Sequence, residues 1–488
     1  MRPLLLALFT VLLLAVSAAW AEQYKDYNVA HEAYKSGDYK EALRLYRLYD
    51  SQGNADYQNI IGVMYLMGQG VERDYDQALV WFKKAAAHGD ADAQLNLGDM
   101  YIEGKGVVQN DMEALKWWRL AAVQRVAVAQ YNLGVMYDNG QGVKQNLKEA
   151  LDLYRLSATQ GYAKAQYNLG VMYESGQGVT QDYIRALNYY RLAATQGYAK
   201  AQYNLGLMYD NGQGVVQDYT VALKWYRLAA TQGYADAQLN LGVMYDNGQG
   251  VTQDYAEAIK WYRQAALQGV AIAQCNLGLM YENGHGVSQD YAEALGWYNQ
   301  AAVQGYADAQ LNLGDLYYDG KGITRDYAEA LNWYRLAATQ GYAKAQYNLG
   351  VMYDIGQGVA QDYKVAYRWY LLAAAQGYAD AQFNLGVMYD KHKGIAQDYI
   401  EALRWYRLAA AQGNASALNN LGVMYDNGHG VELDYILAHM WFNLGATLGD
   451  ANALRNRNLI VQKMSAQQIT KAQKMANDCQ QKNFKGCD

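Results

Sequence analysis

The glycine of an Asn-Leu-Gly motif falls at Gly98, Gly134, Gly170, Gly206, Gly242, Gly278, Gly314, Gly350, Gly386 and Gly422, and the spacing is 36 residues every time. Gly62 extends the register one unit earlier, so eleven units run without insertion from Ala55 to Asp450. A chain of 488 residues is too long to fold around one ordinary core. A period of this length instead implies an array in which each unit buries its apolar face against the next.

One unit, Ala199 to Tyr234, gives the construction. Ala201, Leu205, Met208 and Tyr209 recur at helical spacing and predict a first helix with one apolar face, ended by Gly212 and Gly214. Asp218 is placed to cap a second helix, and Asp254, Asp290, Asp326 and Asp398 each have Glu three residues later, as in a capping box. The second helix presents Tyr219, Ala222, Leu223, Tyr226, Ala229 and Ala230 to the core, and Gly233 stands where a left-handed residue closes it. Gly206, in the middle of the first helix, costs about 1 kcal/mol relative to alanine. Close approach of a neighbouring helix through Ala229 and Ala230 would account for it. The one proline is Pro3, so nothing later removes an amide donor from a helix. With 52% hydrophobic and 18% charged residues the composition is globular. The expected fold is all-α: an α/α superhelical solenoid of about eleven helix hairpins with capping helices at both ends.

The ends depart from the register. Residues 1–21 carry Arg2, an apolar run from Leu4 to Val16 and the small-residue pattern Ala19-Trp20-Ala21, which reads as a signal peptide. The run is shorter than the ~20 residues a membrane anchor needs, and no later stretch is apolar enough to span. Residues 22–54 read as an N-terminal capping hairpin, 55–450 as eleven tandem units and 451–488 as polar capping helices with Ser465 as an N-cap. Cys479 and Cys487 lie close in the C-terminal tail of what reads as an exported chain. A disulfide between them would stabilise the cap by roughly 2 to 3 kcal/mol at best; two free thiols are the alternative. Cys275 fills a slot that Tyr, Leu or Phe occupies elsewhere and reads as a packing residue.

The pattern Ala-x-Ala-Gln-x-Asn-Leu-Gly-x-Met-Tyr, then Gly-x-Gly-Val, then Asp-Tyr-x-x-Ala-Leu-x-Trp-Tyr-x-x-Ala-Ala-x-Gln-Gly, resembles the Sel-one-like repeat (SLR), a branch of the tetratricopeptide superfamily. The resemblance covers Ala55 to Asp450 and implies scaffolding or partner capture rather than catalysis. Exported bacterial relatives include host-interaction factors, envelope regulators and polysaccharide-secretion scaffolds. Two departures stand out: Arg125 replaces a junction glycine, and Lys391-His392-Lys393 replaces the usual Asn-Gly-Gln loop, as local kinks or contact points. Relatives credited with penicillin recognition carry a cysteine pair in each repeat; those pairs are missing here, which argues against that activity.

By the same resemblance the first helices line a concave groove. Tyr131, Tyr167, Tyr203, Tyr347 and Phe383 form one column of it, together with Leu239, Cys275 and Leu311. Beside them run Asn132, Asn168, Asn204, Asn240, Asn276, Asn312, Asn348 and Asn384, and one turn onward the acids Asp138, Glu174, Asp210, Asp246, Glu282, Asp354, Asp390 and Asp426. Asparagine both donates and accepts, so the ladder could pair with an extended peptide while the rings supply contact area. The alternative is that each Asn bonds its own helix or the next repeat and the acids serve solubility. A glycan would suit the same surface. The six histidines show no metal-ligand spacing, with His285 and His429 read as loop variants. No phosphate loop or nucleophile elbow occurs, so no catalytic, cofactor or metal residue is expected. A formal charge of -6 without a basic run argues against nucleic acid. The expectation is a monomeric, periplasmic or secreted scaffold for a protein or peptide, with a glycan or peptidoglycan ligand as the alternative.

Overall fold

The computed structural model describes residues 28–50 and 53–487, which contain helices and no strand. The segment read as a signal peptide lies outside the described residues. The chain divides into two compact units: the residues up to 237 with 249–251, and 238–248 with 252 onward. Each is an α/α solenoid in which every helix packs on its neighbours in sequence.

In the first unit, the hairpin Ala199–Asn211 and Tyr219–Thr231 shows why the sequence folds this way. Gly212 takes a left-handed φ of 69° and closes the first helix, and the Asp218 carboxylate accepts from the amide of Val221 to open the second. In the second unit Asp254 and Asp290 cap in the same manner. The glutamates three residues on serve otherwise than a capping box requires, since Glu257 and Glu293 accept from the indole N–H of Trp261 and Trp297 at 3.0 and 3.2 Å. A full capping box forms at Ser465 with Gln468.

The mid-helix glycines have a different neighbour from the one expected. A Cβ on Gly206 would lie 2.6 Å from Cδ1 of Tyr226, so the glycine makes room for a buried phenol ring rather than for Ala229 and Ala230. The same fit recurs at Gly170 with Tyr190 and at Gly278 with Tyr298.

A glutamine network ties neighbouring hairpins. Gln202, 4% exposed, donates to the Ala194 carbonyl of the preceding repeat at 3.1 Å and accepts from Gln232 of its own repeat at 2.7 Å. In the second unit Gln274 donates to Ala266 at 3.0 Å and accepts from Gln304 at 2.7 Å. Arginines add a second link: Arg155 and Arg191 donate to the hydroxyls of Tyr173 and Tyr209, one repeat on, at 2.8 and 3.0 Å.

At the N-terminal end, helical residues 28–35 and Tyr39–Tyr49 form a short hairpin. At the other end Ala451–Ile460, a 3-10 turn Val461–Lys463 and Ala466–Gln481 close the array. Cys479 and Cys487 form a disulfide with Cα atoms 5.2 Å apart. Phe484 and Cys487 pack on the last core cluster. In the altered loop after Ala379–Asp390, His392 adopts a positive φ of 56°, and Lys393 pairs with Asp354 at 3.5 Å.

Candidate functional site on the first-helix face

The expected groove residues lie on the first helices, but they are half-buried rather than free-standing. In the first unit, each tyrosine of the column wedges between the core tyrosine of its own repeat and the tyrosine that opens the next. Tyr131 lies 5.9 Å from Tyr154 and 5.2 Å from Tyr162; Tyr167 lies 5.7 Å from Tyr190 and 5.3 Å from Tyr198; Tyr203 lies 5.8 Å from Tyr226 and 5.1 Å from Tyr234. In the second unit Tyr347 contacts Tyr370 and Tyr378, and Phe383 contacts Tyr406. Leu311 and Cys275 are buried outright. Burial pushes the Cys275 thiol up to about 12, which makes it a poor nucleophile.

The asparagines spend part of their hydrogen-bonding capacity on the preceding repeat. Asn168 stands beside the hydroxyls of Tyr131 and Tyr154, and Asn204 beside those of Tyr167 and Tyr190, in each case opposing the rise that burial gives the phenol pKa. In the second unit Asn276 stands beside Tyr262 and Asn384 beside Tyr347 and Tyr370, and in the same slot Asn420 donates to the Tyr406 hydroxyl at 3.0 Å. Asn132 reaches Asp99, Asn312 reaches the Cys275 sulfur and Asn348 reaches Asp315 at 3.3 Å. Asn240 is half-buried in the same register. The acids accept from core phenols: Tyr154 donates to Asp138 at 3.1 Å, Tyr226 to Asp210 at 3.0 Å and Tyr298 to Glu282 at 2.7 Å. Burial raises the phenols' pKa, so they stay neutral donors.

Polar groups of both signs converge at a pocket of 380 Å³ in the second unit. Its wall holds Asp315, which accepts from Tyr334 at 2.7 Å and pairs with Lys344 at 3.0 Å, and Lys321, which pairs with Asp319 at 2.8 Å. In the first unit the slot of Lys344 holds Lys164 and Lys200, exposed and without an ion pair among the described residues. Asp315 and these lysines are absent from the sequence-derived columns. They are legible as departures in a repeating row, though their pairing is not. Among the described residues no group of His, Cys, Asp and Glu is placed to hold a metal ion.

Asp99 occupies the slot of Asp315 in the second repeat, but Val128 stands where Lys344 would pair with it. Burial pushes the Asp99 carboxyl up to about 6, opposed by the Trp118 indole N–H at 3.0 Å. With the folded pKa above the unfolded one, the folded chain binds more protons between about pH 4 and 6. The contribution is therefore complete below pH ~4 and lost as pH rises through 6. After allowing for solvent at a half-buried group, stability should fall by about 1 to 2 kcal/mol across this window through Asp99. Urea unfolding of the native chain and Asp99→Asn at pH 4 and 7 measures it; equal pH dependence in the two chains would rule the assignment out.

Stacked helical hairpins with polar rows on the first helices define a tetratricopeptide-like α/α solenoid, a protein–protein interaction scaffold fold. The chain belongs to the Sel1 repeat family, whose profile matches residues 55–90, 91–124, 127–162, 163–198, 199–234, 235–270, 271–306, 307–342, 343–378, 379–414 and 415–450. It is similar to c5321, a protective antigen present in uropathogenic Escherichia coli strains and displaying an SLR fold. The identity is 38% and the TM-score 0.86, covering 91% of this chain and 96% of c5321. A Sel1 repeat protein from Oxalobacter formigenes is 33% identical with a TM-score of 0.50, covering 66% of this chain and 91% of its own. No curated protein sequence matches. Among the described residues no helix is long and apolar enough to cross a membrane.

Proposed function

We propose that this protein is a non-catalytic scaffold that holds an extended segment of a partner protein against its first-helix face, in the periplasm or outside the cell, in host interaction or envelope regulation. The observation that carries the reading is the repeated set of half-buried amides and carboxylates, backed by buried phenols, on one side of each solenoid unit. An asparagine that gives one N–H to a phenol keeps a second N–H and lone pairs on its carbonyl, the complement of a peptide group. The pocket beside Asp315 and Lys344 suits side chains of either charge. The Cys479–Cys487 disulfide and the leader-like first 21 residues support an oxidising compartment. So does likeness to an E. coli protective antigen.

A photoreactive side chain at Lys200, on the first-helix face, and at Leu228, on the second helix, tests the reading in the full chain. A protein cross-linked from position 200 and not from 228 is the expected result. Cross-linking from 228 alone overturns it. Retention on peptidoglycan or exopolysaccharide with no protein cross-linked from 200 also overturns it, in favour of a glycan ligand.

A further inference from the structure

At the junction of the second and third repeats the chain runs Val123-Gln124-Arg125-Val126, where the next three junctions run Thr-Gln-Gly-Tyr, as at Thr195 to Tyr198, and every later one between repeats keeps Gln-Gly. Gly161, Gly197 and Gly233 take φ values of 87 to 88° there, and Arg125 keeps the left-handed region at 67°, a conformation that L side chains rarely adopt. A second departure lies beside it. The seventh position of the second helix is aromatic in every other repeat, from Trp81 and Trp117 through Tyr189 and Trp225 to Trp441, and is Leu153 in this one alone. In neighbouring repeats that ring seals the seam against the preceding hairpin: Trp117 and Trp225 pack on the clusters before them. Leu153 packs on its preceding cluster in the same way but with a smaller side chain. The seam is left open as a pocket of about 440 Å³.

Val123, Leu133, Leu153 and Leu156 give the pocket apolar walls, and Arg119 and Arg125 stand at its rim with Glu149. Val123 is 84% exposed and Leu156 54%, so the apolar wall of the pocket continues to the open surface, where an extended segment can lie along it. Arg119 donates to the Tyr137 hydroxyl, and Arg125 has no ion pair among the described residues. We propose that this second-helix pocket docks a protein segment that presents an aromatic or aliphatic side chain beside an acidic one, the apolar group replacing the missing indole and the carboxylate meeting Arg125 and Arg119. Arginine suits the role because its planar fork binds carboxylates bidentately. The site is lined mainly by second-helix residues, shares no residue with the asparagine, aromatic and acidic columns of the first-helix face, and does not depend on them.

The test uses two substitutions that restore the repeat's usual residues, Leu153→Trp and Arg125→Gly. Both fit the local fold, one by filling the seam and the other by relieving a left-handed side chain, so melting temperature should hold or rise. The probes are fluorescein-labelled, acetylated and amidated ten-residue peptides with Phe-Glu, Phe-Lys or Ala-Glu at the centre, titrated by anisotropy against the full chain. The native chain is expected to bind the Phe-Glu peptide at least tenfold more tightly than the other two. Each substitution should remove at least tenfold of that affinity. Equal binding of the three peptides, or unchanged binding by either folded variant, overturns the proposal. Should Leu153→Trp fail to fold, Arg125→Gly alone decides it.

Discussion

Gly206→Val should destabilise the first unit by about 3 kcal/mol, near the upper end of what overpacking a core costs. Any side chain there puts Cβ 2.6 Å from Cδ1 of Tyr226. That ring is fully buried and its hydroxyl is held by Asp210 at 3.0 Å, so it cannot swing aside without losing a hydrogen bond. Helix propensity works the other way, since glycine in a helix interior costs about 1 kcal/mol against alanine; the clash is expected to outweigh it. Tyr226→Ala alone should cost ~3 to 5 kcal/mol through the cavity it opens. The double variant discriminates between mechanisms. If the valine occupies space vacated by the ring, the two changes together cost at least 1 kcal/mol less than their sum. Strict additivity in chemical denaturation would mean that the clash is relieved by backbone movement elsewhere.

How much of this was legible in the sequence depends on the distance over which residues meet. The 36-residue register, the paired helices, the Asp218 cap and the left-handed Gly212 and Gly233 are set by neighbours within a few positions, and the structure reproduces them. The partner of Gly206 was misread because it lies twenty residues away on another helix. A period of 3.6 fixes which face is buried but not which side chain arrives there. The asparagine column is legible as a column, while its partners in the preceding repeat, such as Asp315 for Asn348 and Tyr406 for Asn420, depend on how hairpins stack. The same holds for Leu153, visible as a gap in an aromatic row, whose consequence as an open seam needs three dimensions.

The buried glutamines were passed over because they sit on an apolar face, where a polar residue must find partners or be expensive. Gln202 finds them on two helices, and its bond to Ala194 reaches into the preceding repeat. In a linear array, stability is close to a sum of repeat terms and nearest-neighbour interface terms. A substitution that weakens one interface therefore lowers cooperativity as well as stability. Gln202→Ala removes the donor to Ala194 and the acceptor for Gln232, and leaves a small void. The expected cost is about 2 kcal/mol, two hydrogen bonds at ~1 kcal/mol each, of which the bond to Ala194 crosses the interface between residues 163–198 and 199–234 and the bond from Gln232 lies within the second of these repeats. The carbonyl of Ala194 keeps a bond from the amide of Gly197 at 3.0 Å, and Gln232 one to Leu228 at 3.3 Å, which holds the cost well below that of an orphaned buried group. Native-state hydrogen exchange gives the direct readout. Amides of Ala163 to Tyr198 and of Ala199 to Tyr234 should exchange with one opening free energy in the native chain and with two in Gln202→Ala. Gln202→Leu, which keeps the volume and loses the bonds, should fall between them. If both variants keep a single opening free energy, the interface is held by apolar packing alone and the glutamines only satisfy one another.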